Sequence, residues 1–448
     1  MLTTDAALDR LSTVLAHAKR LGAEAADAIY IGDASTSISV RLGELEDIGR
    51  SEGEEVGVRL FVGQRSASVS SSDLSPAALG IAVERAYDMA RQAPEDPYAG
   101  LAPDELLFRG TAPDLDLFDP VEPSAQALRE AADEAEDAAR AVAGVTNSEG
   151  ASASHGTASI ALATSGGFAG GYTTSSYNLS ASVIAGEGSG MQRDYAWHGA
   201  RHRADVDTPE AIGRRAGERA VKRLNPIKLE TSALPIIFDP RVSSSILGHL
   251  LGAITGSAVT RKTSFLLEAL GQAVFDSGVT IVDDPRRLRG PRSKPFDAEG
   301  LAAGKTTIIN KGVLTTWLLD SASARQLGLK PTGHATRGTG GPPGAGSTNL
   351  YMVPGEISPE AMIADIPRGF YVTELIGQGV NPVTGDYSRG AAGFLIDGGA
   401  LGPAVAEVTI AGNLKDMFRA LVPANDLTFR HAVNAPTLRI DGMTVAGA

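Results

Sequence analysis

The sequence predicts a mixed α/β (α+β) protein with an N-terminal domain of helices on an antiparallel sheet, residues 1–225, and a C-terminal β-rich domain, residues 226–448. Three observations carry that expectation. A chain of 448 residues exceeds the usual size of a single hydrophobic core, so it divides. Its 43% apolar and 21% charged residues match an ordinary globular protein, and 52 glycines supply many turns between short strands. Helix signatures also alternate with stretches of period-two apolar alternation along the whole length.

The first helix takes Thr4 or Asp5 as its cap, carries Ala7, Leu8, Leu11, Val14 and Leu15 on one face, and stops at Gly22. Four alternating segments follow as an antiparallel sheet: DAIYIGD, STSISVRLG, EVGVRLFVG and QRSASVSSS. Ser75 caps the next helix with Pro76 at its first position, where the missing N–H costs nothing. PEDPYAGLAPDELLFRG reads as a surface connector, and the helix SAQALREAADEAEDAARAV presents an acidic face expected to be solvated. Strands rich in Ser, Thr, Gly and Tyr fill Thr146 to about Asp205, and Thr208 with Pro209 opens another helix.

The second half begins with the strand LPIIFDP, a helix through His249, the strand VTIVDDP and a hairpin turning at Lys311 and Gly312. Later strands are NLYMV, GFYVTELIG, SRGAAGFLID and PAVAEVTIAG, followed by the helix NLKDMFRAL. Between them residues 333–349, rich in Gly and Pro, are expected to form a mobile loop beside a cleft.

Composition excludes several functions. A net charge of −13 without Lys/Arg clusters opposes nucleic-acid binding. With no cysteine, disulfides and thiolate metal sites are ruled out, which fits a reducing compartment. No run approaches the roughly 20 apolar residues of a membrane span, and the N-terminus lacks a signal-peptide core, so a cytoplasmic protein is expected. GLAAGKTT has three residues between its glycines where a phosphate-binding loop needs four, and a strand follows it; a turn into a hairpin is the better reading. His198 and His202, with Asp205, could offer a metal site, but on a strand end the two imidazoles stand about 13 Å apart.

Two stretches remain. In Leu375–Asp397 the glycines permit close backbone approach, Asn381-Pro382 and Gly385-Asp386 mark turns, and Arg389 points from a strand of small residues. This unit is either a structural hairpin or an edge on which an extended peptide pairs as an added strand. On the helix through His249, Ile246, Leu247, Leu250, Leu251 and Ile254 share one face, while Ser245, Gly248, Gly252 and Gly256 line the other, with His249 among them. Each glycine costs a helix about 1 kcal/mol relative to Ala, so close approach of another surface to that face is expected.

EVGVRLFVG with SSSDLS after it, the passage from RDYAWHGAR to ERAVKRL, RKTSF, LIGQGVNPVTGDYSRGAAGF and EVTIAGNLKDMF together resemble the TldD/PmbA family, specifically its TldE (PmbA) branch, over nearly the whole chain. The resemblance implies an N-terminal α/β domain and a C-terminal curved, barrel-like sheet enclosing a cavity. It implies a heterodimeric cytoplasmic metalloprotease acting on small unstructured peptides, in which a TldD-type subunit carries zinc on an HExxxH helix assisted by a cysteine. Laid on this sequence through RKTSF, that motif puts its histidines near Leu247 and Gly252 and its glutamate near Gly248, with His249 between them. No catalytic residue, metal ligand or cofactor is therefore assigned to this chain, and zinc is expected on the partner. Gly248, His249, Gly252, Gly377, Asn381, Asp386 and Arg389 are the candidates for a peptide cleft or partner interface. A homodimer of the lone subunit, acting as a hydrolase, and a non-proteolytic peptide-binding regulator of the gyrase-modulator type are the alternatives. The acidic balance gives the latter no direct DNA contact.

Overall fold

A computed structural model describes residues 1–447. The first half is one antiparallel six-stranded sheet built from β1 (Ala25–Arg41), β2 (Glu44–Val62), β3 (Arg65–Ser71), β4 (Val145–Thr164), β5 (Ala169–Ala185) and β6 (Gln192–Ala200), in the order β3-β2-β1-β4-β5-β6. One face is covered by four helices: α1 (Thr4–Leu21) and α2 (Pro76–Gln92) at one end, α3 (Ala125–Arg140) and α4 (Pro209–Lys222) at the other. Capping chemistry places them. Thr3, Ser75, Ser124 and Thr208 each accept an N–H of the first turn, and Gly22 ends α1 in the left-handed region at φ 98°. The cap of α1 is thus one residue earlier than expected.

The segments DAIYIGD and STSISVRLG form one strand of 17 residues, not two. Gly32 marks no turn there. A Cβ on it would lie 2.2 Å from the Tyr30 hydroxyl, so the glycine makes room for that side chain. The acidic face of α3 is likewise not wholly solvated. Glu136 is fully buried, and its carboxylate accepts the backbone N–H groups of Leu42 and Gly43 at 2.8 and 2.9 Å, closing the β1–β2 turn.

The second half runs β7 (Ser232–Phe238), α5 (Pro240–Ile254), α6 (Gly256–Thr260), β8 (Ile281–Asp283), β9 (Thr306–Asn310), β10 (Val313–Leu314), α7 (Ser321–Leu327), β11 (Ala335–Thr336), β12 (Gly344–Ala345), β13 (Leu350–Met352), α8 (Pro359–Ala364), β14 (Arg368–Ile376), β15 (Asp386–Asp397), β16 (Ala400–Asn413), α9 (Leu414–Ala420), β17 (Leu421–Pro423), β18 (Val433–Asn434) and β19 (Leu438–Ala446). Strands β16-β15-β14-β7-β19 pair in sequence, and β19 pairs back onto β16 through Thr409–Ala446, closing a five-stranded barrel. Side chains of its strands, including Ile236, Phe238, Phe370, Val372, Ile410 and Ile440, are buried in one apolar cluster with the inner face of α5. Burial of that size is the main source of stability, at about 25 cal/mol per Å² removed from water.

The Gly/Pro-rich segment 333–349 holds more structure than its composition suggests. It forms the β11–β12 pair and lies against the N-terminal sheet. Arg337, whose side chain is fully buried, pairs with Asp27 of β1, and Thr339 donates to Glu55 of β2. A Cβ at Gly57 would meet the Thr339 carbonyl at 2.2 Å, so this glycine of EVGVRL is what admits the loop.

Candidate functional site

Helix α5 is capped by Asp239, whose carboxylate accepts the Arg241 N–H, with Pro240 in its first turn. Ile246, Leu247 and Leu250 are fully buried against the barrel core. Gly248 and Gly252 are exposed, and a Cβ on either would meet nothing within 4 Å. The expected close approach to the glycine face is therefore not made within this chain; the face is open. Gly256, by contrast, begins α6, and a Cβ there would lie 2.1 Å from the Ser323 hydroxyl of α7.

His249 does not stand out with the glycines. It is half-buried, edge-on to Tyr387 of β15 with ring centroids 5.7 Å apart. Arg389, two residues along the same strand, lies on the same side of the pleat. Three buried polar atoms here lack partners among the described residues: His249 Nε2, Tyr387 Oη and Arg389 Nε. Burial lowers His249 to about 4, helped by the Arg389 cation, so its imidazole is neutral at physiological pH. Burial also pushes Tyr387 up to about 12, against the pull of Arg389. The guanidinium reaches the phenol electrostatically, without a hydrogen bond of acceptable geometry. An orphaned buried polar group costs about 1–3 kcal/mol, so three together form a place ready to hydrogen-bond an incoming polar group. The arrangement offers a neutral imidazole, a phenol and a cation, which can hold a carbonyl or carboxylate.

The same donors do not fit zinc. Leu247, Gly248 and Gly252 bear no ligand atoms, one imidazole is present, and a guanidinium beside it repels a second cation. Nor do His198, His202 and Asp205 converge. His198 faces Asp207 at 3.2 Å, His202 faces Asp116 at 3.1 Å, and Asp205 pairs with Arg289 at 3.0 Å.

The other candidates resolve into turn structure. Asn381 Oδ1 accepts the N–H groups of Val383 and Thr384. Asp386 accepts the Thr384 hydroxyl at 2.6 Å and the Asn413 amide at 3.1 Å. Gly377 takes φ 80°, a conformation that favours glycine. Of the two readings of this unit, the structural hairpin holds at β15, since β14 and β16 flank it and Ser388 donates to the Gly379 carbonyl at 2.7 Å. Of the four residues in that unit, Arg389 alone joins the α5 cluster.

Models of the PmbA/TldA metallopeptidase domains match three stretches: domain 1 over residues 26–90, the central domain over 118–224 and the C-terminal domain over 231–447. Over 436 residues the chain is 42% identical to the metalloprotease PmbA of Escherichia coli O157:H7, covering 97% of this chain and 94% of that protein. The chain belongs to the PmbA/TldD metallopeptidase family. A PmbA homologue of Haemophilus influenzae is 36% identical, covering 92% of this chain and 90% of that one. A crystal structure of a putative modulator of DNA gyrase from Bacteroides thetaiotaomicron superposes with a TM-score of 0.92 at 27% identity, covering 100% of both chains. TldE from Thermococcus kodakarensis superposes with a TM-score of 0.87 at 21% identity, covering 98% of this chain and 100% of that one, a likeness of fold. The PmbA/TldD models divide the N-terminal half in two, whereas a single sheet runs through both parts. Among the described residues no helix is long and apolar enough to cross a membrane.

Sequence reasoning missed Tyr387, which completes the cluster, and the ties between the halves. Asp194 of β6, 2% exposed, binds Arg241 at the start of α5 at 3.0 Å, and Arg223 binds both Asp194 and Glu374 of β14. The available signal for Tyr387 was its spacing of two from Arg389 on an alternating strand.

Proposed function

We propose that this chain is the non-catalytic, TldE-type subunit of a heterodimeric metalloprotease acting on small unstructured peptides, whose zinc lies on a TldD-type partner. One observation supports it above others: on α5 the positions onto which the family resemblance lays the zinc motif hold Leu247, Gly248 and Gly252, none of which carries a ligand atom. Leu247 is spent on the core, and the two glycines leave an open flank. His249, Tyr387 and Arg389 then serve as a polar wall that hydrogen-bonds an extended backbone, and the glycines let it come near. Binding by such a wall needs no metal chemistry in this subunit.

The test mixes the purified chain with a TldD-type subunit from the same cell. A stable complex, with peptide cleavage that requires both proteins, is the expected result. Stoichiometric zinc and cleavage by this chain alone would instead make it an autonomous hydrolase. Absence of both complex and stimulated cleavage would favour a non-proteolytic peptide-binding role.

A further inference from the structure

A second cleft, of about 300 Å³, lies on the face of the N-terminal sheet that the four helices leave free, where segments 291–298 and 336–348 cross it. Its floor is apolar and regular. Ile29 of β1 stands opposite Leu162 of β4, Ile31 opposite Ile160, and Ile160 opposite Tyr172 of β5, with Phe296 closing one end. Arg201, Arg292 and Lys294 line it as cations, and Arg337 lies buried in its wall.

These cations are poorly compensated. Among the described residues Arg201 donates only to backbone carbonyls, those of Ser175, Gly290 and Pro291. Among the described residues Arg292 has no carboxylate partner, and Lys294 donates to the Ala335 carbonyl at 2.9 Å. Arg337 is the most constrained. Its side chain is fully buried, one Nη pairs with Asp27, and the other Nη, also buried, has no acceptor among the described residues. The carboxylate in the wall, Asp297, is already engaged by the N–H groups of Glu299, Leu301 and Ala335. A buried guanidinium with an unmet donor, in a wall of excess positive charge over an aliphatic floor, calls for an anion with an apolar tail.

We infer that this cleft binds a carboxylate bearing an aliphatic side chain, its oxygens on the Arg337 side and its side chain on the isoleucine floor. The volume is at the low end of the roughly 300–1,000 Å³ typical of small-ligand sites, which suits a terminal residue better than an extended chain. Two sources share that chemistry: the C-terminal residue of a peptide and a free aliphatic acid. The peptide source rests on the function proposed above; the free acid does not.

Calorimetric titration of the isolated full chain separates the outcomes. The probes are N-acetyl-Ala-Ala-Leu with a free carboxylate, the same peptide as its carboxamide, and 4-methylpentanoate. The acid peptide is expected to bind at least about tenfold more tightly than its amide, the worth of one charge-assisted pair. Arg337→Gln should abolish that difference. Because Arg337 also holds Asp27, Arg292→Gln on the exposed rim serves as the second variant, weakening the acid with no change in thermal unfolding. Tight binding of 4-methylpentanoate assigns the site to free acids, and binding of the acid peptide alone assigns it to peptide C-termini. Equal affinity for acid and amide, or no binding of any probe at millimolar concentration, overturns the inference. Since no partner subunit is present, failure of partner-stimulated cleavage leaves this result untouched.

Discussion

Replacing His249 with leucine should flatten the acid sensitivity of this protein. In the fold His249 titrates near 4, whereas an unfolded histidine titrates near its ordinary 6.5. The depressed folded value means that, as pH falls below 6.5, the unfolded chain takes up a proton the native chain refuses. Stability linked to this group is therefore present at neutral pH and is lost on descending through the window from 6.5 to 4. Between pH 7 and pH 4.5 the two values give a loss of about 2.4 kcal/mol. Half-burial and solvent screening reduce that to about 1–2 kcal/mol. Burial also lowers His155, His198 and His431, so the wild-type chain weakens with acid for several reasons, and only the difference between variant and wild type reports His249. Urea unfolding of both proteins at the two pH values supplies the measurement. His249→Leu should lose about 1–2 kcal/mol less than wild type on acidification, and at pH 7 it should gain up to about 1 kcal/mol, because an orphaned polar atom has been removed. An equal acid loss in the two proteins would refute the placement of a neutral, buried imidazole against Tyr387 and Arg389.

Other substitutions probe the rest of the fold. Gly213→Ala would set a Cβ 2.0 Å from the Ala135 carbonyl of α3, so despite better helix propensity it should cost about 2 kcal/mol or more in urea unfolding. Gly248→Ala meets nothing and should stabilise the isolated chain by about 0.5–1 kcal/mol, while lowering partner-dependent peptide cleavage if the open flank is where substrate lies. Glu136→Ala removes the acceptor of two turn N–H groups and should cost about 2–4 kcal/mol, with Glu136→Gln intermediate, read from denaturation midpoints. Asp27→Asn strips the shared counter-ion from Arg59 and Arg337; hydrogen exchange in residues 336–341 should rise, alongside a loss of about 3 kcal/mol.

The sequence alone determined the local elements and the family. Ser75-Pro76 and Thr208-Pro209 start helices because cap and first-turn preferences act within a few residues, and Lys311-Gly312 turns a hairpin because both adopt positive φ there. Long motifs such as LIGQGVNPVTGDYSRGAAGF carried the kinship. Short elements escaped: α7 and α8 have 7 and 6 residues, and in β19 Gly442 at φ 80° breaks the alternation that would have marked a strand.

What only the tertiary structure decided is which residues meet. Tyr387 and Arg389 face His249 across more than a hundred residues of chain, and closure of the barrel by β16 and β19 is a pairing no local pattern encodes. Arg337 sits in a segment whose glycines and prolines suggest freedom, yet it is buried because Asp27 lies in a strand far away in sequence, and Gly57 leaves room for the loop beside it. Propensity and capping act over one or two turns of chain; burial, ion pairing and sheet closure act between segments that the chain order keeps apart.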